Sequence, residues 1–84
     1  MKKELSYFNQ LPVITQFEMI LQNGKFLMQR YHLNYHIELY YLDNFYVEIW
    51  RSVSTQQICW IQPQHEEYVL NTYRQLIQIN PSNL

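Results

Sequence analysis

The sequence holds a single cysteine, Cys59, and a single glycine, Gly24. A lone cysteine cannot close an internal disulfide, so the fold does not depend on oxidation. One glycine is too few for the dinucleotide and nucleoside-triphosphate loops, which need several. Charge is scarce as well: seven acidic and six basic residues leave a net charge of −1. Such a chain has little field to steer it toward nucleic acid or anionic lipid, and little charge to oppose self-association. No stretch approaches the roughly 20 apolar residues that cross a bilayer. Met1-Lys2-Lys3 opens like a signal peptide, but Glu4, Ser6, Asn9 and Gln10 interrupt any apolar run behind it. These absences point to a cytoplasmic protein that does not enter a membrane.

What is present is apolar and aromatic. Hydrophobic residues make up 48% and aromatic residues 17% of the chain, which excludes a disordered polypeptide. Asn and Gln are abundant but scattered, and no internal repeat occurs. At 84 residues the chain reads as one domain spanning 1–84. A domain of this size hides only roughly 60–65% of its unfolded surface, and such thin cores often gain stability from a partner subunit.

The pattern predicts α+β: a four-stranded antiparallel meander with one helix before it and one after. Lys3 to Gln10 carries Leu5 and Phe8 at helical spacing and forms a short helix or a frayed arm. Pro12 suits the first residue of a helix, where its missing N–H costs nothing. Val13, Ile14, Phe17, Ile20 and Leu21 then mark one apolar face, and Asn23-Gly24 offers a left-handed stop. Four extended segments follow: Lys25 to His32, Tyr35 to Leu42, Phe45 to Ser52 and Gln56 to Gln62. Connections as short as Leu33-Asn34, Asp43-Asn44 and Ser54-Thr55 require antiparallel neighbours. Pro63 closes the last strand. The final helix carries Val69, Leu70, Tyr73, Leu76 and Ile77, has Glu66 and Glu67 in its first turn, and stops at Pro81.

Strand alternation predicts a register. Ile37, Leu39 and Tyr41 share one face, as do Phe45, Val47 and Ile49. If both sets face the helices together, opposed residue numbers must sum to an even value. A three-residue connection, Leu42-Asp43-Asn44, satisfies this by pairing Tyr41 with Phe45, with Asn44 left-handed. The reverse face then presents Glu38, Tyr40, Tyr46, Glu48 and Trp50, with Tyr40 opposite Tyr46, Glu38 opposite Glu48 and His36 opposite Trp50. Arg30 can neutralise the two glutamates if Leu33-Asn34-Tyr35 is also a three-residue loop. The alternation of Phe26, Leu27 and Met28 leaves that first hairpin ambiguous. If both helices cover one face, the aromatic face lies open as a contact surface. If one helix packs on each face, it does not.

Candidate chemistry is sparse. His32 and His36 flank a turn, with Glu38 and Cys59 as conceivable further ligands, but no spacing matches a zinc pattern. Solvent-facing histidines beside a turn are the plainer reading. Cys59 with His65 lacks anything to orient a base beside the thiol. Glu38 and Glu48 resemble a carboxylate pair, yet glycoside hydrolysis needs a deep cleft that a thin domain hardly offers. An aromatic sheet can stack unpaired bases, but that mode adds a basic surround. Here Lys2, Lys3, Lys25, Arg30, Arg51 and Arg74 are dispersed.

The run Asp43-Asn44-Phe45-Tyr46-Val47-Glu48-Ile49-Trp50 resembles a strand signature of short uncharacterised bacterial proteins. Gly24-Lys25-Phe26-Leu27 and Leu39-Tyr40-Tyr41-Leu42 match their Gly-led strand and Leu-Tyr-Xaa-Leu strand end. The resemblance covers about half the chain and implies a bacterial cytoplasmic origin and the meander, with no activity attached. The sequence therefore suggests a small non-enzymatic protein-interaction module without a cofactor or metal, in one form a homodimer through the aromatic face. Single-stranded nucleic-acid binding through the sheet aromatics is the alternative, and a small ligand binder or enzyme comes third.

Overall fold

The computed structural model describes the backbone of residues 2–77 and the side chains of residues 5–76. Two helices, α1 (Lys2–Asn9) and α2 (Val13–Asn23), precede four strands. These are β1 (Lys25–His32), β2 (Tyr35–Leu42), β3 (Phe45–Ser52) and β4 (Ile58–Gln64). Helix α3 (Glu66–Thr72) and the short α4 (Arg74–Ile77) follow. The strands form one antiparallel sheet in the order β1-β2-β3-β4, so the fold is an α+β meander flanked by helices.

The N-terminal segment is helical rather than an arm because Phe8 has a partner. Its ring is fully buried and meets Phe45 at 5.3 Å between centroids. Gln16 then donates a buried 2.8 Å hydrogen bond to the Phe8 carbonyl, fixing α2 against the end of α1. Pro12 precedes α2 as its N-cap. Gly24 ends the helix in an extended conformation (φ −82), not the expected left-handed one. Glycine is needed there for space: a Cβ would lie 2.6 Å from the Ile20 carbonyl oxygen, which accepts the Gly24 N–H at 2.8 Å.

Two expectations at the other end shift. β4 begins at Ile58, because Gln56 takes a left-handed φ of 68 and the Ser52–Gln57 hydrogen bonds prolong the turn. Pro63 therefore sits inside the strand, opposite Val47, which an edge position tolerates. The C-terminal helix is divided at Tyr73, whose ψ of 9 leaves the helical region. Pro81 and the side chain of Ile77 lie outside the described residues.

The register corrects the sequence reading. Both hairpins turn on two residues: His32 pairs with Tyr35, and Leu42 with Phe45. Leu33 and Asp43 are the left-handed residues, at φ 54 and 57, in place of Asn44. Opposed numbers across β2 and β3 thus sum to an odd value. Ile37 and Leu39 lie on the opposite face from Phe45, Val47 and Ile49. The even-sum rule assumed one buried face, but this sheet is covered on both, so each apolar set has its own helices. Phe8 and Ile20 pack on Leu42, Phe45, Val47, Ile49 and Ile61. On the reverse, Val69 and Tyr73 pack on Leu39. A bulge between Phe26 and Met28 accounts for the ambiguous alternation of β1.

α2 is less buried than its apolar pattern predicts. Ile20 is buried and Phe17 half-buried, whereas Val13, Ile14 and Leu21 are exposed. No helix among the described residues is long and apolar enough to cross a membrane.

Candidate functional site: the aromatic end of the sheet

Glu48 has no solvent exposure at all. A buried carboxylate is tolerable only when its oxygens are fully bonded. Five side chains donate to it, from three strands and α3 to its C-terminal boundary. Trp50 Nε1 and Gln64 Nε2 reach Oε1 at 3.0 and 3.1 Å. Arg30 Nη2 and the Tyr73 hydroxyl reach Oε2 at 3.3 and 2.5 Å. The Tyr68 hydroxyl lies 3.3 Å from Oε1 and accepts from Arg30 Nη2 at 2.9 Å.

Arg30 crosses β2 to make this pair. Its guanidinium carbon stands 5.6 Å from the Trp50 ring and 5.2 Å from the Tyr73 ring, while Nε is buried without a hydrogen-bond partner. Desolvation, the strongest single influence, lowers the Arg30 pKa, but Tyr73, Glu48 and Tyr68 together outweigh it and raise it. Burial, then the bond to Glu48, pushes Tyr73 far above the usual tyrosine range. Burial and the Glu48 charge raise Tyr68 in the same way. These shifts favour neutral tyrosines beside a paired charge. They describe a structural lock in which each tyrosine donates its hydroxyl proton in a hydrogen bond to the carboxylate.

Beyond this lock the α3 face ends in aromatic rings. Trp50 and Trp60, opposed across β3 and β4, stack at 5.0 Å with their planes 24° apart. Tyr35 meets both edge-on, at 5.4 Å from Trp50 and 5.1 Å from Trp60. His32 reaches Trp50 at 6.3 Å. Trp60 keeps 38% of its surface exposed. The rings touch one another, so no gap remains between them for a cation, and what they offer is their outer surface.

The sequence-predicted contact residues divide between the faces. Tyr46, Glu48 and Trp50 lie on the α3 face. Glu38 and Tyr40 lie on the α2 face, where Glu38 accepts from Arg51 at 3.5 Å and Tyr40 packs edge-on against Phe26. Burial, then the nearby Glu38 charge, raises the Tyr40 pKa. Glu38 opposes Ile49 and Glu48 opposes Leu39, so the carboxylate pair does not exist. His36 opposes Arg51 rather than Trp50. The two-residue turn also separates His32 from His36: one joins Trp50, while the other donates from Nε2 to Gln29 Oε1 at 2.7 Å on the far face.

The expected Arg30–Glu48 contact is present, although both hairpins are shorter than the reading that suggested it. Cys59 is exposed at the β3–β4 bulge, and His65 holds the N-cap position of α3 without a side-chain cap bond. Tyr35, Trp60, Gln64, Tyr68 and Tyr73 were missed by the sequence reading. An odd-sum register would have placed Tyr35 and Trp50 on one face.

A separate open cleft of about 490 Å³ lies between α1, the β2–β3 turn and the β4–α3 junction, bordered by Asn9, Tyr41, Tyr46, Pro63 and His65. Among the described residues, no three His, Cys, Asp or Glu side chains come together where they could hold a metal ion. The chain matches no family model, no curated protein and no solved structure.

Proposed function

We propose that this chain is a non-enzymatic interaction domain that receives a protein partner on the aromatic end of its sheet. The observation that carries this reading is the Tyr35–Trp50–Trp60 cluster: stacked, held from behind by Arg30 and Glu48, and still exposed at Trp60. Trp and Tyr on a rigid support give large contact area at small entropic cost, which is why they dominate binding hot spots. A cytoplasmic bacterial setting belongs to the same reading, and rests on the single cysteine and the strand resemblance.

Single-stranded nucleic acid is less well served. Arg30 is engaged by Glu48 on this face, and Arg51 by Glu38 on the other. The cationic surround that accompanies base stacking is therefore weak.

The test compares the wild type with Trp60→Lys, a surface change that leaves the Glu48 network intact. Proteins cross-linked to the wild type in its own cells are identified, and the strongest is purified and titrated against both forms. A partner that binds the wild type at least tenfold more tightly supports the reading. Equal binding to both forms removes it. Quenching of tryptophan fluorescence by an oligonucleotide at moderate salt, with no protein partner, would replace it with the nucleic-acid reading.

A further inference from the structure

The cleft at the β2–β3 turn, at about 490 Å³, falls inside the range of small-molecule sites, roughly 300–1,000 Å³. It lies apart from the stacked tryptophans, neither of which borders it. Part of its floor is one row of the sheet: Tyr41, Tyr46 and Gln64 oppose one another across β2, β3 and β4. α1 bounds it on one side with Asn9, and the start of α3 on the other with His65 and Glu66.

Each wall is held by a contact of its own. Tyr41 meets Tyr46 edge-on, with centroids 5.0 Å and planes 60° apart. Glu48 accepts from Gln64 Nε2 at 3.1 Å, so the buried lock fixes that side chain. Gln62 donates to the Pro63 carbonyl at 3.2 Å. α1 is pinned by Phe8 on Phe45, and the tight turn by Asp43 at φ 57. A site fixed before its ligand arrives loses little entropy on binding it.

The lining selects the chemistry of that ligand. Four amide side chains border the cleft: Asn9, Asn44, Gln62 and Gln64. An amide both donates and accepts, as does every hydroxyl group. No lysine or arginine is among the described lining residues, and Glu66 would repel an anion, so a phosphate or carboxylate is poorly served. A quaternary cation has no N–H or O–H to answer the amides. A flat base is held best between parallel rings, and Tyr41 and Tyr46 stand 60° apart.

We propose that this cleft binds a neutral saccharide. The C–H face of a sugar ring lies on the electron-rich face of Tyr41 or Tyr46, and its hydroxyls reach the amides of Asn9, Gln62 and Gln64. The cleft is open to solvent, so it admits a free sugar or the end of a longer chain.

The test is saturation-transfer NMR on the full chain. The panel is glucose, galactose, mannose, N-acetylglucosamine and their disaccharides, each as the free sugar and as its methyl glycoside. At least one is expected to bind with a dissociation constant of about 1 mM or tighter. Tyr41→Ala and, separately, Asn9→Ala are each expected to weaken it about tenfold or more. Both side chains are exposed, and Asn9→Ala, outside the sheet, decides if Tyr41→Ala does not fold. Trp60→Lys is expected to bind the sugar unchanged, which separates this site from the partner surface. Equal binding of sugar and glycoside supports a chain end as the ligand, and a strong preference for the free form supports a free sugar. No transfer to any sugar overturns the proposal. So does binding left unchanged by either folded variant, or phosphate, choline or adenosine bound more tightly than every sugar.

Discussion

Tyr73, at the C-terminal boundary of α3, donates a 2.5 Å hydrogen bond to the buried carboxylate of Glu48 at the centre of β3. This contact joins the C-terminal helices to the sheet, and both partners are fully buried. Hydrogen bonds to charged groups contribute about 1.5–3 kcal/mol, so Tyr73→Phe is expected to destabilise by that amount. Urea unfolding followed by circular dichroism measures it; a change below about 0.5 kcal/mol would show that the bond carries no weight.

Glu48→Gln removes the charge and leaves Arg30 half-buried without a counter-ion. Breaking a buried pair costs about 3–5 kcal/mol, and the remaining exposure of the Arg30 side chain places this one near the lower end. A double-mutant cycle with Arg30→Met should recover part of the loss, because the uncompensated charge goes with it. If the two single effects simply add, Glu48 and Arg30 are not coupled.

Stability should fall at alkaline pH through the buried tyrosines. Burial raises Tyr73, Tyr68 and Tyr40 above the ordinary tyrosine value near 10. Below pH 10 both the folded and unfolded forms keep these protons, and nothing changes. Above it the unfolded chain releases them first and binds fewer protons, so stability declines as pH rises, at up to about 1.4 kcal/mol per pH unit for each group. Urea midpoints between pH 8 and 11 test this. Tyr73→Phe should flatten the decline, and an unchanged slope would assign it to other groups.

The backbone gives an opposed pair of expectations. Leu33 holds φ 54 with 81% of its surface exposed, a left-handed strain of about 1–2 kcal/mol with no packing in return. Leu33→Asn is expected to stabilise by about 0.5–1 kcal/mol, since asparagine adopts this region readily. Gly24→Ala should instead destabilise by about 1–3 kcal/mol, because its Cβ would press on the Ile20 carbonyl. Thermal unfolding reads both, at several degrees per kcal/mol for a domain of this size.

Much of the fold was legible in local pattern. The first three strands, the α2 helix and the antiparallel order follow from β-branched and aromatic runs, short turns and 3.6-residue spacing, which act between near neighbours in the chain. The site was less legible, and the reason is parity. Asp43-Asn44 can close a hairpin with or without a flanking residue, and that one-residue choice decides which side chains share a face. The expected contact face assumed a single buried side, which separated Trp50 from its real neighbour Tyr35.

Nothing in the pattern announces that Glu48, between two apolar strand residues, is a buried acceptor. Its donors come from Arg30, Trp50, Gln64, Tyr68 and Tyr73, positions up to 25 residues away. The sequence by itself determined the order of helices and strands and the absence of a disulfide or a glycine-rich phosphate loop, because these depend on residue types and short spacings. Only the tertiary structure decided that each face of the sheet has its own helical cover, that Glu48 is the hub of the second face, and that the stacked tryptophans lie beyond it. Those features depend on which distant segments meet, and burial and hydrogen bonding settle that only once the whole chain has closed.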